Sequence, residues 1–472
     1  MIMNDKTKTL LRNILLFFVA NFMPKAITFF MVPLYTYCLT TSEYGIIDLL
    51  TTTVQLLLPV LTLEVQDAML RFSMDKNYNY NDVFTIGLRI ACGGGVILLL
   101  LILAGYATEI LNINPLYSLF VFISYLTGAL KNICSYFCRG IDKIKIATIS
   151  NIVLTLVTVI FNIIFLLKLK MGIEGYLLAV TIGNIIGVFI LFFGARLYKY
   201  IYLNIKNKTT QKAIILFSIP MIFSALSWWI NSSLDKYIVK MFLNTEAVGL
   251  LSVAYKIPSI LSLFGTSIAT AYSISAIKDF DKNDTDGFLG KSYSTINMLF
   301  VILCSLLMIL NVFIAKILFS KDFFVAWQFV PPLLISSLMS QLSLMCQQYF
   351  IALKKPKIIS CTAMVGAIIN CICNFVLIYF YGIYGAAIAT AFSFFVVWII
   401  RYIILRKYIK LKHNFKKECF SYILLIIQMI FGYYKFRFII LQILIFTFVL
   451  LMYLKDIMLL INKSGNSVYM KD

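Results

Sequence analysis

Three lysines lie deep inside long apolar stretches, where a charge is costly and normally faces protein or a water-filled cavity. Lys25 stands thirteen residues beyond Arg12, which is about 20 Å along a helix rising about 1.5 Å per residue. Pro24 precedes it and should kink or locally open that helix. Lys256 follows Gly249 by seven residues, about 10 Å from its helix start, and Lys131 lies in the inner half of the fourth stretch. Such ammonium groups attract phosphate as point charges. A snorkelling stem or an internal ion pair is the plainer account of each.

Other polar groups sit nearer the ends of these stretches. Glu64, Asp67 and Arg71 are three, four and seven residues apart, the spacing of one helix face. Arg89 belongs to the same mouth, and with Lys131 it completes the candidate phosphate-attracting set of Lys25, Lys256, Lys131 and Arg89. An interfacial salt-bridge cluster is the plain reading of Glu64, Asp67 and Arg71. Asp48 and Asp235, the latter beside Lys236, are the carboxylates placed to take a coupling H⁺ or Na⁺. Trp228, Trp229 and Asn231, together with Gln341, Gln347 and Gln348, add aromatic and amide surface. Trp228, Trp229, Asn231 and Gln347 are the sugar-contact candidates, although such side chains also serve as interface anchors and interhelical glue.

Several chemistries lack their residues. His413 is the only histidine, which removes His-dependent triads and most His-containing metal sites. The ten cysteines form no Cys-x-x-Cys pair and lie mostly in apolar stretches, as small buried side chains do. No cofactor or metal is expected. The net charge of +21 sits mainly in short loops and not on a basic-aromatic face, which argues against nucleic acid. With 61% hydrophobic and 13% charged residues, the chain cannot coat a water-soluble surface.

The elements that position these residues are therefore membrane-spanning helices. Apolar runs of spanning length fall at about 10–38, 45–70, 84–106, 115–138, 146–167, 175–198, 213–239, 248–275, 292–315, 325–353, 358–380, 385–405, 418–434 and 438–461, about fourteen in all. Lys6, Lys8 and Arg12 before the first run imitate a signal peptide, but the run continues through Tyr37 and reads as a retained span. Basic loops at Arg139–Lys145, Arg196–Lys212, Lys354–Lys357 and Arg401–Lys417 alternate with cation-poor ones at Thr40–Tyr44, Ala107–Pro115 and Tyr381–Tyr384. The alternation predicts both termini on the cytoplasmic side.

The chain also repeats itself. Thr41-Ser42-Glu43-Tyr44-Gly45 opens the second run and Asn244-Thr245-Glu246-Ala247-Val248-Gly249 the eighth. Gly172-Ile173-Glu174-Gly175 opens the sixth and Gly382-Ile383-Tyr384-Gly385 the twelfth. These spacings predict two six-helix halves related by an axis along the membrane normal, followed by two added helices.

Pro33-Leu34-Tyr35, then Leu39-Thr40-Thr41-Ser42-Glu43-Tyr44-Gly45 and the run ending Ala68-Met69-Leu70-Arg71-Phe72, resemble the start of bacterial oligosaccharide flippases. These belong to the polysaccharide-transport branch of the multidrug/oligosaccharidyl-lipid/polysaccharide (MOP) exporter superfamily. Ser233-Leu234-Asp235-Lys236 and Ala254-Tyr255-Lys256-Ile257-Pro258 resemble the matching part of the second half. The likeness extends over essentially the whole chain. It implies an all-α, MATE-like membrane protein in which two six-helix lobes, 1–205 and 206–412, form a V around a central cavity. Residues 413–472 supply two further helices.

The resemblance implies a cargo of undecaprenyl-pyrophosphate-linked oligosaccharide, moved from the cytoplasmic to the outer leaflet of a bacterial inner membrane for O-antigen or capsule synthesis. Lys25 and Lys256 would then approach the cargo path from opposite lobes. The implied partners are this lipid-linked oligosaccharide, surrounding membrane lipids, and H⁺ or Na⁺; the sequence does not set the oligomeric state. A multidrug/cation antiporter of the same fold would favour deep carboxylates, and a lipid II flippase would differ only in cargo. A membrane glycosyltransferase or polymerase would carry catalytic carboxylates in a long outer loop, whereas Glu43, Glu109 and Glu174 are isolated in short ones. The expectation is a transporter and not an enzyme.

Overall fold

The computed structural model describes residues 22–109, 114–202, 208–278, 283–285, 287–353, 355–433 and 438–469. Among them there is no strand. Helices follow one another as α1 (22–30), α2 (Val32–Cys38), α3 (Thr41–Leu61), α4 (Val65–Ser73), α5 (Tyr80–Ala107), α6 (Pro115–Gly140), α7 (Ile144–Lys168) and α8 (Gly172–Gly194). Then come α9 (Lys208–Phe242), α10 (Thr245–Ala254), α11 (Ser259–Lys278), α12 (Phe288–Leu318), α13 (Val330–Ala352), α14 (Pro356–Arg406), α15 (Phe415–Gly432) and α16 (Ile439–Tyr469).

Ten helices among the described residues are long and apolar enough to cross a membrane, or eleven when the bent pair α10 and α11 counts as one span. The 51 residues of α14 contain two helices that meet at Gly382, whose φ of 57° and ψ of −137° break the helical path. Each of the fourteen apolar runs thus meets a helix, and the chain is an all-α, multi-pass membrane protein.

The repeated motifs are helix starts, which explains their composition. Thr40 and Glu43 form a capping box at α3: the Glu43 N–H donates to Thr40 Oγ1 at 3.2 Å, and the Thr40 N–H donates to Glu43 Oε2 at 2.8 Å. Asn244 does the equivalent for α10, accepting from the Ala247 N–H at 2.8 Å. In the second pair of repeats, Gly172 and Gly382 both take positive φ, 56° and 57°, which suits glycine. Three residues on, Gly175 and Gly385 lie so close to a neighbouring segment that a Cβ would crowd it.

Two compact units make up the chain. The first holds Met1–Tyr237 and Asn244–Gly249; the second holds Ile238–Leu243 and Leu250–Asp472. In the first, Val65, Met69, Phe84, Tyr125, Ile133 and Phe137 form a buried core around α4, α5 and α6. Gly94 lets the end of α3 come against α5, since a Cβ there would overlap the Leu61 carbonyl. In the second unit α13 is enclosed by its neighbours, so its Gln341, Ser343 and Gln348 are internal.

The sequence places Glu64, Asp67 and Arg71 on one continuous helix, and here the structure differs. The span ends at Leu61, and Leu63 and Glu64 adopt left-handed conformations with φ of 54° and 51°. The Glu64 N–H reaches back to the Pro59 carbonyl at 3.0 Å, closing the helix end, before α4 starts afresh. The eighth span is also interrupted: α10 and α11 bend by 50° at Tyr255–Pro258, where Pro258 cannot donate a helical hydrogen bond. The irregularity in the first span falls at Met31, ahead of Pro33. The turn before Pro24 lies outside the described residues.

Candidate functional site

Two helix starts cross within the first unit. Thr41 to Gly45 of α3 lies against Thr245 to Gly249 of α10, each a small-x-x-x-small segment of the kind that lets helix backbones touch. A Cβ on Gly45 would overlap the Thr245 carbonyl oxygen, and one on Gly249 would overlap that of Thr41. The Ser42 and Thr245 hydroxyls are 2.8 Å apart across the crossing.

Further along α3 the contacts turn to α9. Lys236 Nζ and an Asp48 oxygen form an ion pair at 2.7 Å, with side-chain exposures of 12% and 19%. Such limited exposure leaves the pair only weakly screened. The Tyr237 hydroxyl is 2.6 Å from Thr53 Oγ1 and 3.2 Å from the Leu49 carbonyl oxygen. The Trp229 indole N–H donates to the Thr52 carbonyl at 3.0 Å. Asp235 is buried beside this seam, its Oδ1 accepting from the Lys236 N–H at 2.9 Å. Of the two coupling-ion candidates, Asp48 thus has an ammonium partner and Asp235 a backbone one.

The remaining candidates of this unit are dispersed. Lys25 is exposed on α1 and Lys131 half-buried on α6; neither side chain has an ion pair or hydrogen bond among the described residues. Arg89 is exposed on α5. Glu64 accepts a hydrogen bond from Gln66 Nε2 at 2.6 Å, Asp67 is half-buried and Arg71 exposed. No ion pair joins these last three among the described residues, and the break before α4 leaves Glu64 as its N-cap, outside the helical turns that carry Asp67 and Arg71. Trp228 is 66% exposed, whereas Trp229 is buried. Asn231 is buried too, and donates to the Ser227 carbonyl at 2.9 Å.

In the second unit, Lys256 is half-buried in the turn between α10 and α11. That turn is held by the Ser259 hydroxyl donating to the Lys256 carbonyl at 2.5 Å. The Lys256 side chain has no ion pair or hydrogen bond among the described residues. Gln347 accepts from Arg401 Nη1 at 3.4 Å, and Gln341 donates to Ser262 Oγ at 3.3 Å.

Arg401 is the residue that loop charge concealed. Counted as the start of a basic loop, it is instead buried in α14. Its Nε donates to Thr362 Oγ1 at 2.9 Å, Nη1 to the Ser343 carbonyl and hydroxyl at 3.1 and 3.0 Å, and Nη2 to the Ile359 carbonyl at 3.2 Å. The acceptors are neutral, so the guanidinium ties three segments together through its donor fork. The signal was its position inside the 385–405 run, between Trp398 and Tyr402. His413, from the same loop, is also internal: its ring nitrogens are 2.9 Å from Glu418 Oε1 and 2.9 Å from the Tyr402 hydroxyl.

A family model described as polysaccharide biosynthesis protein matches residues 10–274 of the chain. The probable low-salt glycan biosynthesis flippase Agl15 of Haloferax volcanii is 22% identical over 219 residues, 45% of this chain and 46% of that one. The chain thus spans about half the length of the curated relative it matches. Among solved structures, the lipid II flippase MurJ in an inward closed conformation gives a TM-score of 0.71 at 16% identity, covering 94% of this chain and 100% of that one. An inward-facing multidrug resistance MATE family transporter of the MOP superfamily gives 0.66 at 11% identity, covering 81% and 94%. These likenesses bear out the MATE-like fold expected from the sequence.

Proposed function

The chain belongs to the polysaccharide biosynthesis protein family, and on that premise we propose that it is a flippase of the MOP superfamily for lipid-linked oligosaccharide. The cargo is an undecaprenyl-pyrophosphate-linked repeat unit for O-antigen or capsule. It moves from the cytoplasmic to the outer leaflet of a bacterial inner membrane, in which both termini of the chain are cytoplasmic. Alternating access is coupled to H⁺ or Na⁺. The chain acts as a transporter and makes or breaks no covalent bond.

The observation that carries this reading is the set of lysines within the spans, Lys25, Lys131 and Lys256, whose side chains meet no carboxylate among the described residues. A lipid-linked sugar pyrophosphate needs a hydrated, cationic path, because neither sugars nor phosphates cross hydrocarbon unaided. Separate point charges suit a cargo that must also leave, where a bidentate arginine clamp would retain it. The glycan flippase named above supports the same cargo class.

The test is genetic and chemical. Deleting the gene should remove surface polysaccharide and leave lipid-linked oligosaccharide inside. Lys25→Ala and Lys256→Ala should each lower surface polysaccharide with an unchanged amount of protein in the membrane, and Lys25→Arg should retain part of the activity. Normal export by both alanine variants would remove these lysines from the path and leave Lys131 and Arg89 as candidates.

A further inference from the structure

The second unit carries a cavity that none of the candidate residues touches. It measures about 420 Å³ and is lined by Gln328, Phe329, Tyr381, Tyr384, Ile430 and Tyr433. This volume falls within the range of small-ligand sites, about 300–1,000 Å³. Three short segments build it: the end of the 3-10 turn Lys321–Phe329, the bend inside α14, and the last turn of α15.

The bend is specified by glycine. Gly382 has a backbone conformation that other residues adopt only with strain, and it separates Tyr381 from Tyr384. Gly385 then lets the two halves of α14 close on each other, since a Cβ there would overlap the Leu377 carbonyl. Tyr384 meets Tyr433 edge to face, with ring centroids 6.0 Å apart and planes at 73°. Tyr381 is 63% exposed at the rim.

We propose that this cavity is a saccharide-binding site, taking a pyranose unit of the glycan on the outer face of the membrane. The lining chemistry selects that ligand. Four of the six residues are aromatic and one is an amide, and only Ile430 is aliphatic. Aromatic faces pack against the C–H faces of a sugar ring, while tyrosine hydroxyls and the Gln328 amide both donate to and accept from sugar hydroxyls. A lipid chain would leave those polar groups unmatched. No lining residue is charged, so the pyrophosphate is not the ligand here and remains with the lysines. The assignment rests on the flippase reading for the outer position of the cation-poor Tyr381–Tyr384 turn and for the presence of a glycan there.

The experiment replaces Tyr381 in the full chain with the photo-crosslinking residue p-benzoylphenylalanine, in cells producing their native surface polysaccharide. After irradiation, the purified protein is examined by mass spectrometry for its adduct. A saccharide-bearing adduct is expected, falling about tenfold or more when Gln328→Ala or Tyr384→Ala is added and falling less with Tyr384→Phe, which keeps the ring and loses only the hydroxyl. Adducts of phospholipid alone, or no adduct on normally expressed protein, overturn the proposal. The flippase reading fails separately, if deletion of the gene leaves surface polysaccharide unchanged. A saccharide adduct without a lipid anchor would preserve the site under that outcome.

Discussion

Gly45 and Gly249, from two copies of one repeated motif, face each other's helix starts so closely that neither can carry a Cβ without meeting the opposing backbone. Each is the fourth residue after a threonine, and each stands against the carbonyl of the other copy's threonine. The repetition seen as sequence thus becomes a reciprocal crossing in space. The same four-residue spacing serves both partners because both helices start with a side-chain cap and enter the crossing in the same phase.

Gly45→Leu and Gly249→Leu should each destabilise the protein by about 1–3 kcal/mol, the usual effect of forcing extra atoms into a packed contact. The check is the thermal midpoint of the detergent-purified chain, with Gly93→Leu as the control. Apart from its own stretch of helix, no atom of the described residues lies within 4 Å of where a Cβ on Gly93 would stand. Equal midpoints for the crossing variants and the control would contradict the reciprocal contact.

The Asp48–Lys236 pair makes a second prediction. Asp48→Lys and Lys236→Asp should each lower export, because either change sets two like charges a few ångströms apart with little water between them. The double reversal should recover much of the loss, with a coupling of about 1–3 kcal/mol in a double-mutant cycle read by thermal stability. If Asp48 instead binds the coupling ion alone, the double variant will be no better than Asp48→Lys.

These residues also show what a sequence discloses. Span positions, caps and the internal repeat are local or periodic signals, so the helices could be located from apolar runs and the repeated Gly and Thr. Partnership is a different kind of fact. In the sequence Lys236 is simply the neighbour of Asp235, yet its ion pair is with Asp48, far away in sequence. Glu64 and Arg71 have helical spacing, but the left-handed pair Leu63 and Glu64, a conformation unusual outside glycine, removes the shared face. Arg401 reads as loop charge because a charge count ignores which way a side chain points. The aromatic cavity was invisible because its walls come from three segments, each unremarkable alone.

Arg401 gives the third prediction. Arg401→Ala strands acceptors on Ser343, Ile359 and Thr362 in a buried place and should destabilise the fold by about 2 kcal/mol or more. Lysine keeps the charge but lacks the planar fork that reaches all three, so Arg401→Lys should recover only part of this. Protein amount in the membrane and thermal midpoint are the readouts. Full stability of Arg401→Ala together with lost export would make Arg401 a cargo contact and not a tie.

The last prediction concerns topology, on which the inside and outside assignments depend. Loops alternate between basic and cation-poor, which puts the α5–α6 connection outside and the α6–α7 connection inside. Thr108, in the first connection, and Lys145, in the first turn of α7 next to the second, are exposed positions. In a chain whose ten cysteines have been replaced, Thr108→Cys should react with a membrane-impermeant maleimide in intact cells. Lys145→Cys should react only after permeabilisation. The pairing is informative because α6, at 26 residues, separates the two sites by one span's length. Thr108 also suits the change: among the described residues its hydroxyl bonds back to the Ala104 and Gly105 carbonyls of its own helix, so a thiol of similar size keeps the change local. Labelling of both sites from the same side would break the alternation and, with it, the span count. The reverse pattern, Lys145→Cys outside and Thr108→Cys inside, would keep the count and invert the protein. The aromatic cavity would then face the cytoplasm, before translocation of the cargo.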